Sequence, residues 1–353
     1  MNINNKFRLT NQSLDIVIPK IELLNSAISN IPKNKLVEPH FRIYPSQKNK
    51  NDSKYAYVTI IIINDTYIPA VLALGNSLRK TKTKYKLVCV VQDTPTTIQF
   101  GGEEKYYPGI TKNQIDDINK IYDEVIGVNL LSVSGYLPKE GHFTAISTYK
   151  NIGVYVTKLQ VLGLLQYEKF FYIDASCVVS KNIDSVFKKY DRSTFITDYE
   201  YQNTKMGLKG GFFFCVPKIE YYNKALYMTY NYEKIFKDLF FVRGIDEVLL
   251  YFSIYPEWSD ILLSKNFGCY EYYGKVLAKN FDPAKGKKYC KIYYYQMSKP
   301  FRKDESRHNT ENNQTFIAYK RWDYEVNDVL KKHPSFKKYY KHIPKYRKTW
   351  YKL

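Results

Sequence analysis

The fold is decided by residues 55–80, which read YAYVTIIII (Tyr55–Ile63) and then NDTYIPAVLALGNSLRK (Asn64–Lys80). The first part is a nearly continuous β-branched run, which is typical of a strand buried on both faces of a sheet. In the second part, apolar residues recur at helical spacing from Ile68 to Leu78. The stretch therefore predicts a buried strand that leads into a helix over Tyr67–Arg79.

The same alternation of strand and helix patterns continues along the chain. Predicted strands cover Leu87–Val91, Glu124–Val128, Phe170–Ile173, Phe212–Val216 and Ile292–Tyr295. Predicted helices run from a cap at Thr111 through Ile121, and over Val154–Leu165, Tyr221–Tyr230, Asp246–Phe252 and Ile317–Lys331. This order predicts an α/β protein with a mixed, mainly parallel sheet flanked by helices.

Length and composition favour one large folded domain. The chain has 353 residues, of which 44% are apolar and 25% are charged, so it can bury a sizeable core. Residues 1–53 are polar and rich in Asn and Lys, and predict an N-terminal extension and linker. Residues 54–303 form the expected main domain, and residues 304–353 a basic, aromatic, helical C-terminal appendage.

The net charge of +20 is unevenly distributed. Between Lys285 and Leu353 there are 19 Lys and Arg residues against 6 Asp and Glu residues, so this stretch carries 13 of the 20 net charges. Residues 337–352 interleave basic and aromatic side chains, a pattern that suits an anionic partner, although a solvated, Lys-rich terminal helix explains it better. A nucleic-acid binder stays open as an alternative, but no recognised binding motif accompanies the charge.

Cysteines and hydropathy bear on the compartment. The five cysteines have no CxxC spacing and suit reduced core residues better than a disulfide framework. The apolar run Val58–Ile63 is too short to span a bilayer, and residues 1–12 contain no apolar block of the kind found in signal peptides. These features predict a cytoplasmic protein.

Polar residues follow several predicted strands, where open α/β sheets bind their ligands. They are Asn64 and Asp65, Gln92 and Asp93, and the run Asp174-Ala175-Ser176. Neither GxGxxG nor GxxxxGK occurs, which removes the main support for a dinucleotide or P-loop site.

Blocks of residues in order along the chain resemble glycogenin-like glycosyltransferases of family 8. The most specific block contains Gly153-Val154-x-x-Thr157-Lys158-Leu159, then Gln166-Tyr167-x-Lys169, Asp174-Ala175 and Asn182-Ile183-Asp184-x-x-Phe187. The others are Tyr57–Leu78, Gly211–Phe214, Gly244-x-Asp246-Glu247 and Lys299-Pro300-Phe301. The resemblance implies a GT-A fold, a nucleotide-sugar donor, usually a UDP-hexose, and transfer with retention at the anomeric carbon.

The resemblance also implies roles for individual residues. Asp246 and Glu247 match positions beside the transferred sugar and are the candidate catalytic residues. The candidate donor-binding residues are Ile63, Asn64, Tyr67, Lys158, Asp174, Ala175, Ser176, Gly211 and Lys299. Single residues also have structural explanations: Asn64 could terminate a strand, and Asp246 could cap a helix.

The chain departs from the family pattern at its metal site. Ser176 stands where the second Asp of Asp-x-Asp is expected, Tyr293 where a His is expected, and Lys209-Gly210 replaces an Asn-Ser pair. Mn²⁺ favours carboxylate and imidazole ligands, so Asp174 alone is a poor cage. Lysines near the donor, together with Arg302, could supply positive charge instead.

The sequence therefore predicts a hexosyltransferase that uses a UDP-sugar, with weak or no Mn²⁺ dependence and a protein or glycan acceptor. The alternative is a degenerate glycosyltransferase fold that binds a nucleotide or glycan without turnover. The protein could also form a homodimer.

Overall fold

The structure is a computed structural model. It describes residues 11–47, 51–63, 65–100, 103–133, 154–197, 210–236, 245–257, 259–262, 268–272, 275–276, 291–295, 299–301 and 313–341. Asn64, Lys209, Arg302 and most of the basic C-terminal run lie outside these residues. In the part of the chain that is described, no helix has both the length and the apolar character that crossing a membrane requires.

Fourteen strands are described, and they form one large sheet, one smaller sheet and a hairpin. They are β1 (Arg42–Pro45), β2 (Tyr55–Ile61), β3 (Lys86–Gln92), β4 (Thr96–Phe100), β5 (Glu103–Tyr107), β6 (Glu124–Val128), β7 (Lys169–Ile173), β8 (Cys177–Val179), β9 (Thr194–Thr197), β10 (Phe212–Cys215), β11 (Ser259–Leu262), β12 (Gly268–Tyr272), β13 (Lys275–Val276) and β14 (Ile292–Tyr295).

The described α-helices flank these sheets. They are α1 (Asn11–Ser29), α2 (Ile68–Lys80), α3 (Lys112–Ile118), α4 (Ser185–Lys189), α5 (Ile219–Tyr230), α6 (Tyr232–Phe236), α7 (Ile245–Ile254) and α8 (Asn313–Lys332). Short 3-10 helices cover Lys33–Lys35, Asp65–Tyr67, Val156–Gly163 and Pro334–Tyr340.

The large sheet has the strand order β1-β6-β3-β2-β7-β10-β9-β11. Its centre, β6-β3-β2-β7, is parallel, whereas β1, β10 and β9 join as antiparallel neighbours. The smaller sheet has the order β13-β12-β14-β8, and β4 pairs with β5 as a separate hairpin. The predicted mixed, mainly parallel sheet flanked by helices is confirmed.

Alternation along β2 divides the core between the two faces of the sheet. Tyr57 and Ile61 pack with α2, α3 and α8, while Val58 and Ile60 pack with α5, α7 and the Val156–Gly163 segment. Because both faces are covered, the strand reads as the continuous apolar run that identified it.

The predicted helix over Val154–Leu165 is wrong in type, since its main part is the 3-10 helix Val156–Gly163. Every residue of this segment is buried. Its β-branched residues Val156, Thr157 and Val161 favour helical geometry weakly, so packing decides the local conformation. The cap at Thr111 is confirmed, and its N–H donates to Gln114 Oε1 at 2.8 Å. That helix ends at Ile118 rather than Ile121.

Residues 1–53 were expected to be an extension and linker, but the described part is integral to the fold. The α1 residues Ile21, Leu24 and Ile28 are buried in the same core cluster as α5. Strand β1 pairs with β6, and Arg42 Nε donates to Asp93 Oδ2 at 2.8 Å. The apolar side chains of α1 need cover, and the edge of β6 offers a strand partner, which explains this docking. The domain limits at 53 and 303 stay predictions.

Candidate functional site

The candidate site lies at the carboxyl ends of the parallel strands. Ile63 follows β2 and has a φ of +84°, a left-handed conformation that is unfavourable for a β-branched side chain. Its N–H donates to Gln92 Oε1 at 3.1 Å, at the end of β3. Backbone strain of this kind is common at functional sites, and here the hydrogen bond to the buried Gln92 stabilises the strained conformation of Ile63.

Asp174 follows β7 and begins the turn Asp174-Ala175-Ser176, which we call the Asp174 turn. The N–H of Asp174 donates to the carbonyl of Gly211 at 2.7 Å. Its Oδ1 accepts hydrogen bonds from the Ser176 N–H at 2.9 Å and from Ser176 Oγ at 2.6 Å. One oxygen of this carboxylate is therefore engaged by the residue that replaces the second Asp.

Tyr293 adds no carboxylate or imidazole to this turn. It lies in β14 opposite Val178, and burial raises the pKa of its phenol while the charge of Arg321 opposes the shift. The phenol therefore stays neutral near pH 7. Across the described residues no group of three His, Cys, Asp or Glu side chains could hold a metal ion. The residues present do not fit a Mn²⁺ cage of the family type.

Lys158, Gly210, Asp246 and Glu247 converge beside this turn, and we call them the Lys158 cluster. Lys158 Nζ donates to the carbonyl of Gly210 at 2.5 Å and lies 3.5 Å from Asp246 Oδ2. Glu247 Oε1 accepts the N–H of Gly210 at 2.9 Å. The side chains of Lys158 and Asp246 are only 8% and 15% exposed, so the ion pair is largely withdrawn from water. Such pairs are costly to desolvate, which makes them candidates for function.

The two glycines that directly precede β10 permit this close approach. A Cβ on Gly210 would lie 2.8 Å from Lys158 Nζ, and one on Gly211 would lie 2.6 Å from the ring of Tyr294. Both distances are shorter than a van der Waals contact. The backbone at residues 210 and 211 can therefore reach the lysine and the ring only because these residues lack side chains.

Tyr67 and Lys299 form a second group of candidate site residues, an ammonium bonded to a phenol, which we call the Tyr67 pair. Lys299 Nζ donates to the Tyr67 hydroxyl at 2.7 Å and lies 4.9 Å from the centre of its ring. The Tyr67 ring also meets Phe301 edge-on, with 5.0 Å between centroids. The helix start and the Lys-Pro-Phe block, far apart in sequence, are thus in direct contact.

Two buried groups show that the Asp174 turn, the Lys158 cluster and the Tyr67 pair share one region. The pKa of Tyr172 is raised well above its usual value by burial first, and then by Asp174, Asp246 and Tyr67. Burial likewise raises the pKa of the Cys177 thiol; Asp174 adds to the shift, whereas Lys299 and Lys158 oppose it. The structure therefore brings together the predicted residues it describes from these three groups.

Sequence reasoning missed some residues that shape the site. The ring of Tyr172 lies 4.9 Å from Lys158 Nζ, and Gln92 holds the Ile63 N–H. Tyr172 lies inside an apolar predicted strand, so the sequence indicated only that it would be a core residue. Gln92 was visible as a polar residue at a strand end, but its partner was not.

Comparisons with known proteins bear on the family resemblance and on the fold. No family model matches the chain. Over 174 residues it is 29% identical to glycogenin-1 of Homo sapiens, which covers 49% of this chain and 43% of that protein. Over 147 residues it is 29% identical to galactinol synthase 3 of Arabidopsis thaliana, and this match covers 40% of this chain and 37% of that protein. The matches thus span less than half the length of these curated relatives.

A solved structure supports the fold independently. The galactosyltransferase LgtC, in complex with donor and acceptor sugar analogues, superposes with a TM-score of 0.52 at 12% identity. The superposition covers 80% of this chain and 99% of that chain. The chain therefore has the GT-A fold and, over about half of its length, resembles the glycogenin-like glycosyltransferases of family 8 in sequence.

Proposed function

We propose that the protein transfers a hexose from a nucleotide sugar, a UDP-sugar by family resemblance, to an acceptor with retention. The observation that carries this proposal is the Lys158 cluster, a largely buried ion pair beside the Asp174 turn. A cation and two carboxylates at the carboxyl edge of an α/β sheet suit a reaction in which charge separates between a sugar and a diphosphate.

Positive side chains would stabilise the departing diphosphate. Lys299 supplies an ammonium held at a fixed place by the Tyr67 hydroxyl. Lys158 supplies another, oriented by the Gly210 carbonyl and Asp246. A preorganised ammonium in a site of low dielectric stabilises developing phosphate charge without reorganisation at the moment of reaction.

Asp246 and Glu247 would face the transferred sugar. Both lie in the first turn of α7, and both are oriented, by Lys158 and by the Gly210 N–H respectively. A carboxylate held in this way can stabilise positive charge that develops at the anomeric carbon. Retention requires the new bond to form on the face that the diphosphate leaves, close to these side chains.

We also propose that Mn²⁺ is weakly required or not required. Asp174 is the remaining acidic position of the family motif, and the Ser176 hydroxyl donates a hydrogen bond to one oxygen of the Asp174 carboxylate. A single carboxylate usually holds a divalent ion only when phosphates and waters complete the shell. The reaction would then depend on the two lysines for charge stabilisation.

The acceptor would be a protein or glycan, and we propose a cytoplasmic location. Cys89, Cys177 and Cys215 are buried free thiols, which suits a reducing compartment. The basic C-terminal run, an anionic partner and a homodimer stay proposals of the sequence.

A second candidate is a protein that binds nucleotide or glycan without turnover. The observation that favours it is that Ser176 donates two hydrogen bonds to Asp174 Oδ1, one of the two carboxylate oxygens that a metal could use. Transfer and nucleotide binding both predict that a nucleotide sugar raises the thermal midpoint of the protein, since a ligand that binds the native state stabilises it; glycan binding predicts no such shift.

One experiment separates the two functions. A thermal-shift panel of nucleotide sugars identifies the donor, and hydrolysis of that donor is then measured with EDTA and with Mn²⁺. Transfer predicts slow donor hydrolysis that persists in EDTA, whereas binding alone predicts a thermal shift without hydrolysis. If no nucleotide sugar shifts the midpoint, transfer and nucleotide binding are both wrong.

A further inference from the structure

A row of aromatic rings connects Tyr67 with the C-terminal part of the chain. Tyr67 contacts Phe301 with 5.0 Å between ring centroids, Phe301 is 6.4 Å from Trp322 of α8, and Trp322 is 6.3 Å from Tyr340. Trp322 is 1% exposed and Tyr340 is 9% exposed. The row is therefore packed in the core and ends at a candidate donor-binding side chain.

A hydrogen bond also joins Tyr340, at the far end of the row, to the helix that follows Tyr67. The Tyr340 hydroxyl donates to the carbonyl of Pro69 at 3.2 Å. Pro69 lies in the first turn of α2, directly after the 3-10 turn that contains Tyr67. Tyr340 thus contacts the element that carries Tyr67 and, through Trp322, the ring that packs against Tyr67.

The segment that carries Tyr340 is itself fixed to the domain. It is the 3-10 helix Pro334–Tyr340, and Lys338 Nζ lies 2.6 Å from Asp117 Oδ2 in α3. Burial would raise the pKa of Asp117, but hydrogen bonds from Lys120, Lys338 and Tyr339 outweigh it and lower the pKa. Asp117 is therefore ionised at neutral pH, and its bonds to Lys338 and Tyr339 hold the segment against α3.

We propose that Trp322 and Tyr340 are positioning residues for the donor site, acting through Phe301 and the start of α2 to hold Tyr67 and Lys299 in their binding geometry. This inference rests on the proposed function, because Tyr67 and Lys299 are taken to contact the nucleotide. Fixing a binding side chain before the ligand arrives raises affinity, since less conformational freedom is lost on binding.

The proposal gives the C-terminal segment a role besides its charge. The contacts of the row described above run through Phe301 and the start of α2 and include no member of the Lys158 cluster. Docking of residues 334–340 would therefore set nucleotide affinity, while the groups that face the sugar stay unchanged. A loosened segment should affect binding of the nucleotide more than the chemical step.

The test uses full-length protein and UDP as the probe. Tyr340→Phe removes the hydroxyl that bonds to Pro69 and keeps the ring. The matched control is Tyr122→Phe, which removes a hydroxyl that donates to the Val71 carbonyl of the same helix at 2.8 Å. Tyr122 belongs to neither the row nor the three groups of the site.

Calorimetry should show UDP affinity weakened about threefold in Tyr340→Phe and unchanged in Tyr122→Phe, in line with the loss of one hydrogen bond. Trp322→Leu should weaken affinity about tenfold, and Trp322→Phe, which retains a ring, should restore most of it. Hydrogen exchange without nucleotide should rise in a peptide covering residues 65–72 in Tyr340→Phe and Trp322→Leu, but less in Trp322→Phe.

Equal UDP affinity and equal exchange in Tyr340→Phe and the parent protein would overturn the inference, whatever happens to the tryptophan variants. The exchange measurement also separates this inference from the proposed function. If the parent binds no UDP yet exchange rises as expected, the coupling stands and the nucleotide function fails. If the parent binds UDP and neither readout responds, the function stands and the coupling fails.

Discussion

Two buried lysines, Lys158 in the candidate site and Lys224 in α5, have similar exposure but different partners. Taken as whole residues, Lys158 is 6% exposed and Lys224 is 5% exposed. Lys158 lies beside the carboxylate of Asp246 and bonds to a backbone carbonyl. Lys224 donates to Asn25 Oδ1 at 2.9 Å and to the Tyr255 carbonyl at 2.8 Å, both of which are neutral.

The difference shows how burial serves two purposes. Lys224 joins α1 to α5, and burial lowers its pKa to about 8, against a smaller opposing effect of Glu257. That lysine has a structural explanation in packing. Lys158 joins two glycosyltransferase-like blocks in a pair that costs desolvation energy, and helix packing alone does not require such a pair. The charged partner therefore distinguishes the candidate site from an ordinary buried lysine.

Lys158→Met should have the largest effect. It leaves Asp246 largely buried without its cation, which should destabilise the protein by about 3 kcal/mol. Donor hydrolysis should fall about 100-fold, because the site loses a preorganised charge. Urea unfolding and donor hydrolysis measure the two effects. A variant that keeps the parent's hydrolysis rate would show that Lys158 is structural, like Lys224.

Lys224→Met should change the pH dependence of stability rather than activity. The folded pKa of about 8 lies below the unfolded value of about 10.4, so the unfolded state binds more protons between these pH values. The parent therefore gains stability as pH rises through this window, and the variant should lack about 2 kcal/mol of that gain. Urea unfolding from pH 7 to pH 10 compares the slopes. Equal slopes in both proteins would contradict the assignment.

Gly210→Ala should disturb the Lys158 cluster from its backbone side. The new Cβ would lie 2.8 Å from Lys158 Nζ, so the lysine must leave the Gly210 carbonyl. We expect a loss of about 1 kcal/mol of stability and about tenfold lower donor hydrolysis. Gly75→Ala, which meets the buried Tyr122 ring at 2.6 Å, is the control. It should lower stability but leave the specific activity of folded protein unchanged; an equal loss of activity would remove the special role of Gly210.

Lys112→Ala should have the smallest effect. Lys112 Nζ lies 2.7 Å from Asp116 Oδ1, closer than the two charges of the Lys158 cluster, but the side chains are 66% and 52% exposed. Removing this pair should cost less than about 0.5 kcal/mol. Urea unfolding beside Lys158→Met tests whether exposure, rather than distance, decides the value of an ion pair. A cost similar to that of Lys158→Met would break the comparison.

The central fold was predictable because its strands are buried on both faces. Residues 55–61 and 86–92 read as apolar runs for that reason, and α2 follows with clear helical spacing. Strand β1 was not predictable, since it has four residues of mixed burial and joins the sheet only through pairing with β6. The 3-10 geometry of residues 156–163 is likewise set by tertiary packing.

The residues of the candidate site were predictable only as members of blocks. Lys158 and Asp246 came from the family resemblance, but their contact depends on the approach of α7 to the Val156–Gly163 segment. The Gly210 carbonyl that orients Lys158 lies 52 residues away in sequence. The bond from Ser176 to Asp174 is local, and the short spacing of the turn could have revealed it.

The most direct test of the central claim, that lysines rather than a Mn²⁺ cage supply the positive charge of a nucleotide-sugar transfer site, is donor hydrolysis in EDTA. The parent protein and Lys158→Met are incubated with the UDP-hexose that shifts the thermal midpoint most, and release of UDP is measured. We predict that the parent releases UDP at a rate that EDTA changes little, and that Lys158→Met releases about 100-fold less. Loss of hydrolysis by the parent in EDTA, with recovery on addition of excess Mn²⁺, would contradict the account.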